Sequence, residues 1–136
     1  MSNVLFKWDE NEYGIKVKSM DEEHQHLIRL MNTLHQEYLA KQPFELLQAS
    51  VGALASYTIQ HFSDEEKYME SIGFDGLKTH KIIHQKLLEE VTNHVNRFEK
   101  TKQLDAEFFN FLKMWLQAHI CGIDIKYGNF ANSKAA

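Results

Sequence analysis

The sequence predicts an all-α protein: an antiparallel up-down-up-down four-helix bundle preceded by an irregular N-terminal arm. Three observations carry this reading. The 136 residues include one Pro and six Gly, too few breakers for a turn-rich β sandwich and compatible with long helices. Apolar residues recur at spacings of three and four along four separate stretches, the period of one helix face. The stretches are of similar length and joined by short connections, which favours antiparallel neighbours. The length suits a single domain over 1–136. Hydrophobic residues at 43% and charged residues at 25% are globular usage and exclude a disordered chain.

Taken in order, the arm spans about residues 1–18 and carries Trp8, Tyr13, Gly14 and Ile15 without a clear period. Ser19-Met20-Asp21-Glu22 reads as a capping box that opens a first helix over about 19–41. Its stripe is Met20, Leu27, Met31, Leu34 and Tyr38, with His24 in the same register. Pro43 closes that helix and suits the first turn of a second, over about 44–71. Leu47, Val51, Leu54, Thr58, His61, Glu65 and Tyr68 mark its inward side, and Ser71-Ile72-Gly73 offers a glycine stop. A third helix over about 76–100 shows Leu77, His80, His84, Leu88, Val91, Val95 and Phe98. Asp105 caps a fourth over about 105–121, with Phe109, Leu112, Leu116 and His119 on one stripe. Gly122 is expected to end it, leaving a tail over 122–136.

Composition also removes whole classes of function. A net charge of -4 leaves no electrostatic footprint for nucleic acid or an anionic membrane. No run approaches the roughly 18 apolar residues that span a bilayer, and the N-terminus lacks the apolar core of a signal peptide. Cys121 stands alone, so no internal disulfide forms and a reducing compartment is indicated. The expectation is a soluble, cytoplasmic, monomeric protein. The anomaly is histidine, with eight residues against fifteen Lys plus Arg.

His24, His61, Glu65, His80, His84 and His119 all fall on inward stripes. An unpaired imidazole or carboxylate in a core costs several kcal/mol, so such residues need partners. With about 1.5 Å of rise per residue, each lies near the same end of an antiparallel bundle. A lone His on an apolar stripe is usually a hydrogen-bonded core residue, and one i,i+4 pair arises by chance. Five His and a Glu at one level are better explained as a metal site. His61-x-x-x-Glu65 and His80-x-x-x-His84 each stack on one helix face, as shared ligands require. Asp124 is a further candidate. Five residues rotate by about 140° on an ideal helix, so Asp124 can turn inward beside His119 only if the helix ends or unwinds at Gly122. His26 and His35 lie off the stripe and read as solvated; His94, about 15 Å along the axis from His84, reads as too distant. Cys121 reads as a small buried residue, and Phe62, Phe108, Phe109, Phe111, Trp115 and Phe130 as packing. In Asp64-Glu65-Glu66 only Glu65 is expected to face inward.

These residues resemble the hemerythrins, most closely the single-domain bacteriohemerythrins. The matching stretches are Asp21-Glu22-Glu23-His24, His61-x-x-x-Glu65-Glu66, His80-x-x-x-His84 and Trp115-Leu116-x-x-His119-Ile120-x-x-x-Asp124. Trp8 and Gly14-Ile15 match the arm, so the resemblance runs from about Trp8 to Tyr127. It implies a non-haem diiron site that binds O2 reversibly. One iron would take His80, His84 and His119; the other would take His24 and His61. Glu65 and Asp124 would bridge them together with an oxo or hydroxo group. If both irons are octahedral, those donors fill every position but one, and the gap lies on the iron of His24 and His61. Leu116 and Ile120, flanking His119, are candidate walls of the O2 pocket.

Donor chemistry agrees with iron, since mixed imidazole and carboxylate ligands suit a borderline ion. Carboxylate-rich diiron enzymes use two Glu-x-x-His pairs, whereas this chain has only Glu23 to His26. The expected role is therefore O2 storage, delivery or sensing, with an O2-using enzyme as a possible recipient, and not catalysis. The competing reading is a diiron redox enzyme of the peroxidase or nitric oxide reductase type.

Overall fold

The computed structural model describes residues 5–135; the first four residues of the predicted arm and the last of the predicted tail lie outside them. Among the described residues there is no strand. The elements are α1 (Glu10–Tyr13), α2 (Lys18–Leu39), α3 (Phe44–Ser71), α4 (Leu77–Thr101), α5 (Ala106–Ala118), a π-helical turn (His119–Asp124) and α6 (Ile125–Ala135). Contacts between opposite ends make the neighbours antiparallel. Near the start of α3, Gln48 donates to Glu99 near the end of α4. His35, late in α2, packs its ring 4.9 Å from Phe109, early in α5. No described helix is long and apolar enough to cross a membrane.

The predicted stripes form the core. Met20, Leu27, Met31 and Leu34 of α2, Leu47, Val51 and Leu54 of α3, and Phe109, Leu112 and Leu116 of α5 are all buried. The stops and starts follow local chemistry. Gly73 has φ of 69°; its N–H bonds to the Glu70 carbonyl while that of Phe74 bonds to Met69, the paired closure a left-handed residue allows at a helix end. Asp105 accepts from the Phe108 N–H at 2.9 Å and caps α5 as expected.

Three expectations need correction. No capping box forms at Ser19: α2 begins at Lys18 with Val17 at its N-cap and no side-chain cap. Asp21 instead accepts from the backbone N–H of Ile15 at 2.9 Å, so the acid ties the arm to the bundle. The arm is itself partly helical through α1, capped by Asp9. The fourth helix does not end at Gly122 either, and the region predicted as a tail is helical through Ala135. It packs against the arm. A Cβ on Gly128 would lie 2.5 Å from the Ile15 carbonyl oxygen, so the close approach of α6 requires glycine there.

Candidate metal centre

Four helical segments bring the predicted residues to one end of the bundle. His24 comes from the first turns of α2, His61 and Glu65 from late α3, and His80 and His84 from the start of α4. His119 and Asp124 come from the π-helical turn. All seven are buried, and His24, Glu65 and Asp124 are wholly so. The expected inward turn of Asp124 is realised, but not by fraying at Gly122. The backbone widens into a π turn, whose repeat is i to i+5, and this sets Asp124 on the same face as His119, five residues earlier. The same widening leaves Cys121 exposed. Its thiol donates to the Glu12 carbonyl oxygen at 3.4 Å, so it is not the buried packing residue expected.

Donor atoms fall into two overlapping groups, one of Glu65, His80, His84, His119 and Asp124, the other of His24, His61, Glu65 and Asp124. Each carboxylate splits its oxygens between them. Glu65 Oε1 lies 3.0 Å from His84 Nε2, while its Oε2 lies 3.2 Å from His24 Nε2 and 3.5 Å from His61 Nε2. Asp124 Oδ1 lies 3.0 Å from both His80 Nε2 and His119 Nε2, and Oδ2 lies 2.9 Å from His24 Nε2. Despite these distances, neither Asp124 oxygen has a hydrogen bond of acceptable angle. In the same way His119 Nε2 stands 3.3 Å from His80 Nε2 and 3.2 Å from His84 Nε2. Imidazole nitrogens crowded on one another and on carboxylate oxygens, away from water, are the arrangement of ligands around cations. The residues fit a pair of metal ions.

The far nitrogens of two rings are fixed from outside the cluster. His61 Nδ1 donates to Glu23 Oε1 at 2.7 Å, and His84 Nδ1 donates to Glu66 Oε2 at 2.8 Å. With the proton held on Nδ1, the lone pair is left on Nε2, facing the cluster. Glu66 is thus engaged, not merely solvated. Tyr127 donates its hydroxyl to Glu65 Oε2 at 2.6 Å and is fully buried. Sequence reasoning missed all three as site residues. Glu23 and Glu66 sit beside the inward stripe, where acids are ordinarily solvated, and Tyr127 lay in the supposed tail.

Electrostatics in the metal-free chain follow from this crowding. Burial pulls His61 and His119 down, but the Glu65 charge together with the Glu23 hydrogen bond lifts His61 to about 10, and the Asp124 charge lifts His119 to about 9. His24 is raised by Asp124 and Glu65 against the same penalty. Although burial opposes ionisation, the surrounding imidazoles hold both Glu65 and Asp124 below the usual carboxylate range. Burial and the Glu65 charge push the Tyr127 hydroxyl up, keeping it a donor. The cluster therefore gathers positive charge, as protons, where no metal is bound.

The remaining histidines stand apart. His26 packs 4.2 Å from Tyr57, His35 against Phe109, and His94 4.7 Å from Phe111. His26 and His35 are half-buried against these rings rather than fully solvated. Leu116 and Ile120, the candidate pocket walls, are buried at 1% and 0% exposure beside His119.

Comparison with known proteins agrees with this geometry. Residues 16–131 match the family described as the hemerythrin HHE cation binding domain. A bacteriohemerythrin of Stenotrophomonas maltophilia is 29% identical, over 93% of this chain and 81% of its own length. A myohemerythrin of Riftia pachyptila is 29% identical over 90% of each chain. A crystal structure of wild-type hemerythrin superimposes with a TM-score of 0.85 at 27% identity, covering 92% of this chain and 96% of that one. With its family signature spanning all four long helices, the chain belongs to the hemerythrin family.

Proposed function

We infer that this protein binds O2 reversibly at a pair of iron ions, for storage, delivery or sensing. The observation that carries the reading is the splitting of two buried carboxylates, each with one oxygen toward a three-imidazole group and the other toward a two-imidazole group. His80, His84 and His119 would hold one ion, His24 and His61 the other, and Glu65 and Asp124 would bridge them. Such a pair supplies the electrons that let O2 bind and leave. The chain's own residues do the rest. Glu23 and Glu66 orient imidazoles, and Tyr127 holds a proton at Glu65 Oε2. Leu116 and Ile120, buried beside His119, would keep water away from the pair where O2 would bind. Five neutral imidazoles compensate charge less than a carboxylate-rich set, which favours reversible binding over oxygen insertion.

The test is iron analysis followed by absorption spectra through repeated cycles of air and its removal. Two irons per chain and a spectral change that repeats are expected. A one-way change with turnover of peroxide or nitric oxide would replace this reading with a diiron redox enzyme. His84→Ala should deplete iron whereas His94→Ala should not; equal loss in both would sink the ligand assignment.

A further inference from the structure

Away from the centre, a groove of about 510 Å³ runs between α4 and α5, lined by Leu87, Glu90, His94, Glu107, Phe111, Met114 and Trp115 among others. Its walls are mainly aromatic and apolar, and Met114 lies open in it at 71% exposure. From this groove an unbroken file of rings leads inward. Phe111 is stacked on Trp115, with centroids 6.4 Å apart and planes at 13°. Trp115 meets Phe62 edge to face at 5.9 Å. Phe62 lies flat on the His84 imidazole, 3.9 Å away with planes at 4°. Packing alone asks only that these side chains fill space. Continuous ring contact from a solvent-open groove to an imidazole of the cluster offers more, because electron tunnelling weakens exponentially with each gap and Trp is the most readily oxidised side chain of the file.

We propose that the groove between α4 and α5 is the site where an uncharged planar hydroquinone docks, and that the file Phe111–Trp115–Phe62–His84 carries its electrons to the metal centre. This rests on the metal-pair reading above. The flat aromatic walls and the Met114 sulfur match a planar ring. Glu90 and Glu107 flank the groove; Arg97 is engaged by Glu107 and Asp105 at 3.3 Å each. An anionic donor is thus disfavoured. The step balances: one hydroquinone is oxidised to its quinone, two electrons reduce two iron(III) to iron(II), and the two hydroxyl protons leave to water past Glu90 and Glu107. The route would return protein that has lost its electrons to the O2-binding state.

The probe is duroquinol, a tetramethyl hydroquinone, with its quinone as the stable form for binding and dithionite as an anionic control. In the iron-loaded protein carrying 13C-methyl methionine, the Met114 methyl signal should shift saturably with duroquinone while the buried Met20, Met31 and Met69 signals stay fixed. Met114→Glu should slow reduction by duroquinol about tenfold, leaving the dithionite rate within about twofold. Trp115→Leu should slow duroquinol by at least about tenfold; Phe111→Leu, at a half-exposed position, serves if Trp115→Leu does not fold. Iron content should be unchanged in all variants. A chain without two irons would defeat the proposed function and the route with it. Two irons with no Met114 shift, or with wild-type duroquinol rates in the variants, would defeat the route alone.

Discussion

Each ring nitrogen in the cluster has a separate task, and the two nitrogens of one imidazole depend on each other. Glu66 never reaches the donor groups, yet its hydrogen bond to His84 Nδ1 decides which nitrogen of His84 is free. Removing such a partner weakens metal binding by about 10–100-fold. Glu66→Ala should therefore lose iron to a competing chelator at correspondingly lower concentration, while Glu66→Gln, which still offers an acceptor, should recover most of the affinity. Unchanged chelator resistance in Glu66→Ala would mean that His84 is oriented by Phe62 stacking alone. Six of the seven cluster residues are legible in the sequence because they sit at core positions, where His and Glu are conspicuous against Leu and Met; Asp124, off the stripe of an ideal helix, is not, and only the π turn brings it inward. Nor are Glu23, Glu66 and Tyr127. An acid one step off the stripe looks the same whether it meets water or an imidazole, and only the neighbouring helix decides.

Among the elements, the turn joining α5 to α6 carries the largest departure from the sequence reading. Periodicity assumes 3.6 residues per turn, so it found the α2, α3 and α4 stripes and failed where the backbone widens. Gly122 invited the inference of a helix end, but a Cβ there meets nothing within 4 Å, so no close contact demands glycine. Gly128 is the opposite case, with the Ile15 carbonyl oxygen 2.5 Å from the position of a Cβ. The two form a matched pair. Gly122→Ala should be neutral or stabilising by up to about 1 kcal/mol through helix propensity. Gly128→Ala should destabilise by about 1–3 kcal/mol, as overpacking does, and by moving α6 should disturb Tyr127 and Glu65. Urea unfolding of both variants checks the signs. A stable Gly128→Ala protein would show that the arm yields to α6 at little cost.

At the scale of the whole molecule, the bundle places a highly polar layer inside a small core, and its stability is tied to what neutralises that layer. In the metal-free chain protons do so in part: His61 and His119, lifted to about 10 and 9, are protonated at neutral pH. Ligation needs neutral imidazole, so loading must displace those protons. Iron(II) or zinc added to metal-free protein in weak buffer should acidify the solution, and apparent affinity should rise with pH until those values are passed. Absence of proton release would mean the metal binds elsewhere.

The same linkage sets the thermal behaviour. A metal that binds only the folded state adds about 4 kcal/mol at a free concentration of 1,000 Kd, and for a chain of this size that is on the order of 10–20 °C in melting temperature. Protons are a weaker substitute, since they leave Asp124 without well-angled hydrogen bonds. Chelation should thus lower the melting temperature without abolishing the helical signal, and restoring metal should raise it in proportion to the logarithm of its concentration. Glu66→Ala sharpens the test. Its bond lies outside the donor groups, so the variant should melt below wild type when loaded but close to it when both are metal-free. Identical melting curves with and without chelator would show that the buried His, Glu and Asp cluster draws no folding energy from a metal.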